Sequence, residues 1–269
     1  MDLKLAIKNR IIKFQLNMCN KIIFPSILTT ILVLSSTLFS CQSETKNTMS
    51  NEKLSIVCTT GMIGDAVNNI VGDNAEVISL MGPGVDPHLY KVTQSDIKKL
   101  LNADVIFYNG LHLEGKMGEV LSKMAEQKPV IAICDGLKKK QLRATSEFEG
   151  NYDPHIWFSV KVWTNVVRFI GKSLAEIDLI HASFYQVNTT KHVEELISLH
   201  ASTIEKINTI SENQRVLITA HDAFGYFGRE YGMEVKGLQG LSTAAEYGLK
   251  DVITMVDFIT DHKIKAVFV

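Results

Sequence analysis

The sequence predicts an α/β protein of two doubly wound lobes joined by one long linking helix. Three observations predict it. Between residues 53 and 134, short apolar runs alternate with helix-patterned stretches, as strand–helix–strand units around a parallel sheet do. Residues 182–210 contain neither Gly nor Pro and repeat apolar positions at helical spacing, which suits a rigid spine. Beyond that spine the strand–helix alternation starts again.

The elements follow in order. Residues 54–59 form a short apolar strand, closed by Gly61 and Gly64 into a helix around 65–71. Residues 76–81 read as a second strand that ends in the turn Gly82-Pro83-Gly84. Thr93-Gln94-Ser95-Asp96 resembles a capping box, with Asp in place of Glu, for a helix to about residue 101. A third strand at 105–108, a helix at 117–125 and a fourth strand at 130–134 complete the first pattern. A polar loop, 135–151, precedes a helix over 160–174 and the spine, whose inward positions are Val193, Leu196, Ile197, Ile204 and Ile207. The second pattern comprises a strand at 215–219, a helix at 224–231 and a strand at 234–238. A helix at 249–262 with Val252, Val256 and Ile259 inward and a strand at 265–269 complete it. The expected domains are therefore an N-terminal lobe over 53–180, a linking helix over 181–211 and a C-terminal lobe over 212–269. Ending on a buried strand, with about 55 residues after the spine, makes that second lobe small, so the sequence is expected to be a truncated form of a longer protein.

Composition narrows the function classes. The 269 residues are 46% hydrophobic and 21% charged, which permits a sizeable core and argues against disorder. A net charge of −1 gives no reason to expect nucleic acid as a partner. The four cysteines have no CxxC spacing, so neither a zinc knuckle nor a redox pair is indicated. Cys58 and Cys134 lie in strand-like runs and read as buried free thiols.

The N-terminus reads as an export signal. Lys4, Lys8, Arg10, Lys13 and Lys21 precede an apolar run over 22–39, followed by Leu38-Phe39-Ser40-Cys41 and a polar stretch. The Cys after a small residue resembles a bacterial lipobox, which makes residues 1–40 a signal peptide. Cys41 is then the lipidated mature N-terminus, and residues 41–52 are a tether. The alternative is an uncleaved membrane helix, for which the run falls short of the roughly 20 unbroken apolar residues a span prefers.

One motif occurs twice. Val85-Asp86-Pro87-His88-Leu89-Tyr90 and Tyr152-Asp153-Pro154-His155-Ile156-Trp157 both set a His after Asp-Pro and before an apolar and an aromatic residue. Pro fixes its own φ and holds the preceding Asp extended, and that Asp can fold its carboxylate onto nearby backbone N–H groups. Each His thus stands on a stiff elbow. His221, in Thr219-Ala220-His221-Asp222, also follows an apolar run, and parallel sheets bind ligands at such strand ends. Three imidazoles in matching contexts suggest one metal site, suited to Zn²⁺ or, with oxygen partners, Mn²⁺. Asp86, Asp153 and Asp222 are candidate acceptors for the far ring nitrogens rather than ligands. Tyr90 and Trp157 either wall the site or pack in the core. His112, His181, His192, His200 and His262 read as structural.

With these residues in view, the chain resembles the TroA/ZnuA-type (cluster A-I) metal-binding lipoproteins that feed bacterial ABC importers. The resemblance rests on Gly84-Val85-Asp86-Pro87-His88-Leu89-Tyr90, Tyr108-Asn109-Gly110-Leu111-His112-Leu113-Glu114 and Asp153-Pro154-His155-Ile156-Trp157-Phe158. Thr219-Ala220-His221-Asp222-Ala223-Phe224-Gly225-Tyr226-Phe227 and Lys236-Gly237-Leu238-Gln239-Gly240-Leu241-Ser242 complete it. It implies metal held in a cleft between the two lobes, with His88, His155 and His221 as the first three ligands. The family's fourth, usually an Asp late in the C-terminal lobe, has no counterpart before Val269. The resemblance further implies a membrane permease as partner, zinc or manganese as transported ligand rather than catalytic cofactor, and a monomer anchored at the cell envelope through Cys41, facing the periplasm or cell exterior. A manganese-favouring branch places Glu where His221 stands, and zinc importers often carry a His-rich loop where residues 138–151 have none, so zinc, manganese and iron all stay open.

Two rival classes remain at this point. A secreted zinc-dependent hydrolase would also use three histidines and an open position, but the sequence has no HExxH and no Glu beside a candidate ligand. A surface adhesin lipoprotein is the other, with no sequence feature in its favour. The expectation is a binder and not an enzyme.

Overall fold

A computed structural model describes residues 53–145, 151–244 and 247–268. The export signal, the lipobox with Cys41 and the tether lie outside the described residues. Residues from Lys53 onward form one compact unit that contains two parallel sheets.

The first sheet has strands β1 (Leu54–Thr60), β2 (Ala75–Met81), β3 (Val105–Tyr108) and β4 (Val130–Ala132) in the order β2-β1-β3-β4, all parallel. Strand pleating explains why β1 and β3 are apolar without a break. Ile56, Cys58, Val105 and Phe107 point to one face and meet Ile63, Val67 and Ile70 of α1 (Gly61–Val71) and Val166 and Ile170 of α4 (Val160–Ile177). Val57 and Ile106 point to the other face and meet Leu100 of α2 (Gln94–Asn102) and Leu121 of α3 (Gly118–Ala125). With helices on both faces, the two inner strands β1 and β3 are covered on both sides, as parallel sheets require. Pairing of β4 stops at Ala132, two residues before the expected end. Ile133–Gly136 turns through a 3-10 helix, although Cys134 N still donates to Asn109 O at 3.2 Å.

The capping box forms as the sequence suggests. Thr93 Oγ1 accepts from Asp96 N at 3.2 Å, and Asp96 Oδ2 accepts from Thr93 N at 2.9 Å. Asp96 Oδ2 also accepts from Tyr90 Oη at 2.7 Å, so Tyr90 serves as an anchor between the first elbow and α2 rather than as a wall of the site.

The spine, α5 (Ala182–Asn208), departs from its expected single apolar face. Tyr185, Val193 and Leu196 are buried, whereas Ile197 and Ile204 are exposed. The helix packs on α1 and α4, and His200 Nδ1 lies 3.2 Å from Tyr231 Oη.

The second sheet pairs β5 (Val216–His221) with β6 (Glu234–Gln239) in parallel, with His221 opposite Gln239. α6 (Gly225–Tyr231) connects them and ends on Gly232 at φ +69°, the left-handed turn glycine accepts without cost. The strand expected at 265–269 is reduced to one parallel bridge between Thr219 and Phe268. α7 (Leu249–Asp261) buries none of its residues. Val256 is exposed and Val252 and Ile259 are half-buried, because a two-stranded sheet is too narrow to cover a helix of that length.

The Thr93 cap tests how firmly the first elbow's exit is held. Thr93→Ala should cost about 1 kcal/mol and lower the midpoint of thermal unfolding by about 2–4 °C, measured by circular dichroism.

Candidate metal centre

All three imidazoles lie at the carboxyl edges of the sheets. His88 follows β2, His155 follows β4 through the polar loop, and His221 is the last residue of β5. His88 and His155 are buried and His221 is half-buried. Their ring centroids stand 5.2, 5.3 and 4.9 Å apart, with the rings at steep angles to one another. His155 Nε2 is 3.2 Å from His88 Nε2 and 3.1 Å from His221 Nε2. Among the described residues, this is the group of potential ligand side chains that converges, with the three ligand atoms all within 4.8 Å of one another.

Local chemistry aims the rings. Asp86 Oδ1 accepts from His88 N at 2.8 Å, and Asp153 Oδ1 accepts from His155 N at 2.9 Å. The two elbows are thus the same Asx turn formed twice, each two residues long. Asp153 Oδ1 also lies 2.8 Å from His155 Nδ1, and Gly240 O lies 2.7 Å from His221 Nδ1. A carboxylate and a carbonyl can only accept, so in the neutral rings the proton sits on Nδ1 and the lone pair on Nε2. Two Nε2 lone pairs therefore face each other at 3.1 Å with no proton to share. Such a contact calls for a cation between them. Metal–nitrogen bonds of about 2.0–2.1 Å place the corners of a tetrahedron about 3.4 Å apart, close to these spacings.

The surroundings favour a metal over a proton as that cation. Burial, then the neighbouring His155 and His221, push the His88 imidazole down to about 4. Burial and His155 also push His221 down. Neutral rings are the form that binds metal.

The three aspartates divide the support unequally. Asp153 holds both the backbone and the ring of His155. Asp86 holds the His88 backbone and, through Oδ2, accepts from Thr243 Oγ1. Asp222 does not serve the His221 ring, and the Gly240 carbonyl takes that role. The cause is spacing. Asp222 N donates to Gln239 O at 2.8 Å, so the backbone is still strand-like there and successive side chains point apart. Burial pushes the Asp222 carboxyl up. Of the two aromatics, Trp157 stands edge-on to the His155 ring at 5.3 Å.

Sequence reasoning passed over two supports. Arg143 Nη1 donates to Asp153 Oδ2 at 2.8 Å, and a side chain on Gly225 would run into that guanidinium. Glu114 is buried and accepts from Thr59 Oγ1 and Asn109 N at 2.7 Å and from Gly110 N at 3.3 Å. Burial pushes its carboxyl up against these donors. It closes a loop in which Gly110, Leu111 and His112 all have positive φ. Asn109 Nδ2 donates from that loop to Pro154 O at 3.1 Å, next to His155. His112 stays outside the three-histidine cluster. His181 and His262 are satisfied locally by Asp178 and Phe258 O.

Two parallel α/β sheets with imidazoles converging from the strand ends define the TroA-like binding-protein fold. The structure matches the periplasmic zinc binding protein TroA from Treponema pallidum with a TM-score of 0.78 at 44% identity, over 80% of this chain and 77% of that one. Residues 56–269 match the family described as ZnuA, zinc-uptake complex component A, periplasmic, and the chain belongs to that family. It is 45% identical to the manganese-binding lipoprotein MntA of Bacillus subtilis (strain 168), covering 90% of this chain and 79% of the relative. The Fe(III)-bound YtgA from Chlamydia trachomatis also matches, with a TM-score of 0.73 at 26% identity over 80% of each chain.

Two measurements probe the site. The lowered His88 and His221 make the unfolded chain bind more protons than the folded one below the ordinary histidine value, so stability rises with pH there. Metal-free protein should hold its stability above about pH 6.5. It should lose it as the pH falls toward about 4, read from urea midpoints, with a shallower dependence in His88→Gln. Glu114→Ala should cost about 3 kcal/mol or more, because it strands buried N–H donors, and should also weaken metal binding in a calorimetric titration.

Proposed function

We propose that this chain is the extracytoplasmic metal-binding component of an ABC importer, capturing zinc or manganese and delivering it to a membrane permease. The observation that carries this reading is the meeting of His88, His155 and His221 Nε2 across two sheets, two of the rings with their protons fixed on Nδ1. Neutral imidazoles bind such ions without adding charge, so the bound ion keeps its positive field and can be passed on to another ligand set. Relatives named for binding manganese and zinc support the reading. In this reading the two lobes span 53–180 and 212–269 with the helix of 181–211 between them, and the protein works as a monomer.

The ion is cargo, and the chain acts by binding and release rather than by catalysis. Relatives named as lipoproteins of ABC transporters support an anchored position outside the cytoplasm. Cys41 is the residue that would carry the lipid. Asp153 is engaged by Arg143 and by His155, which leaves it as an orienting group rather than a general base.

Calorimetric titration with Zn²⁺ and Mn²⁺ tests the reading. Wild-type chain should bind one ion, and His155→Ala should weaken binding by at least about 100-fold, the upper end for loss of an outer partner alone. Equal affinity in the variant would refute the assignment of the three histidines.

A further inference from the structure

The first elbow and the second sheet are joined by a hydrogen bond that the metal ligands do not require. Thr243 Oγ1 donates to Asp86 Oδ2, across 157 positions of sequence. The other oxygen of Asp86 holds His88 N at 2.8 Å. On the Thr243 side, the backbone runs back three residues to Gly240, whose carbonyl holds His221 Nδ1 at 2.7 Å. Gln239 Nε2 closes this turn by donating to Thr243 O at 2.8 Å. A continuous path of covalent and hydrogen bonds thus links His88 and His221 without passing through the site they form.

From this geometry we propose that Thr243 and Asp86 form a latch that sets how long metal stays in the cleft. Thr243 is a positioning residue, touching neither ring. The latch rests on the metal-binding reading above and deepens it. Separating His221 from His88 requires the Thr243–Asp86 bond to break first, since Gly240 and Thr243 move together within one closed turn. The acceptor is a carboxylate, and hydrogen bonds to charged acceptors are the stronger kind. Both residues are half-buried, so water can replace the bond once the sheets part, which makes the latch reversible. The His155 side is held by different contacts, Tyr226 Oη donating to Asp153 O at 2.9 Å and Arg143 N donating to Tyr226 Oη at 3.0 Å. Opening at Thr243 would therefore leave His155 fixed to α6 while His88 and His221 part.

The test uses the full chain loaded with Zn²⁺ and mixed with excess chromogenic chelator in a stopped-flow instrument. Thr243→Val keeps the branched shape and removes the donor. It should release zinc about 10-fold faster, the lower end expected for a hydrogen bond to a charged group. The association rate should be unchanged, because encounter precedes closure. Thr243→Ser restores the hydroxyl and should restore slow release, while all three proteins keep one zinc per chain and a wild-type circular dichroism spectrum. Equal release rates for wild type and Thr243→Val, with wild type binding zinc, would overturn the latch alone. A wild-type chain that retains no zinc is tested in the same way with Mn²⁺, and retention of neither ion would overturn the binding reading and the latch with it.

Discussion

The centre depends on where two protons sit. Asp153 and the Gly240 carbonyl fix protons on the Nδ1 atoms of His155 and His221, and their Nε2 lone pairs are left 3.1 Å apart. Neither ring can turn to relieve the repulsion without giving up a hydrogen bond to oxygen in a buried setting, where such bonds are costly to lose. The rest of the molecule holds this arrangement. One parallel sheet supplies two elbows and the other supplies a strand end, so the strained contact falls where the two meet.

What the sequence made legible was local. Pleat alternation in β1 and β3 could be read because every residue of an inner parallel strand is covered, and the two Asp-Pro-His elbows because each Asx contact spans only two residues. The three histidines could be picked out because they share a context, and the structure brings those three together. Less legible were the partners that arrive from a distance. Gly240 reaches His221 from 19 positions away, Arg143 reaches Asp153 from 10, and Thr243 reaches Asp86 from 157. A backbone carbonyl leaves no trace in a side-chain pattern, which is why Asp222 looked the better partner for its neighbour. Periodicity misled in α5 and α7 for a related reason. It reports which face could be buried, while the extent of the neighbouring sheet decides how much of that face is.

The Arg143–Asp153 pair shows how tight holding and release coexist in one site. Asp153 is fully buried, and a buried carboxylate facing only His155 would pull strongly on the ring proton and make Nε2 a more basic, more tenacious ligand. Arg143 Nη1 takes the second oxygen at 2.8 Å and shares that charge. The pair is kept in place from both sides, by the open approach at Gly225 and by Tyr226 Oη, which accepts from Arg143 N and donates to Asp153 O. Tyr226 belongs to α6, between the strands of the second sheet. Any shift of that helix is therefore felt at Asp153 and, one hydrogen bond further, at the His155 lone pair. Ligand strength at His155 is in this way tied to the position of the second sheet.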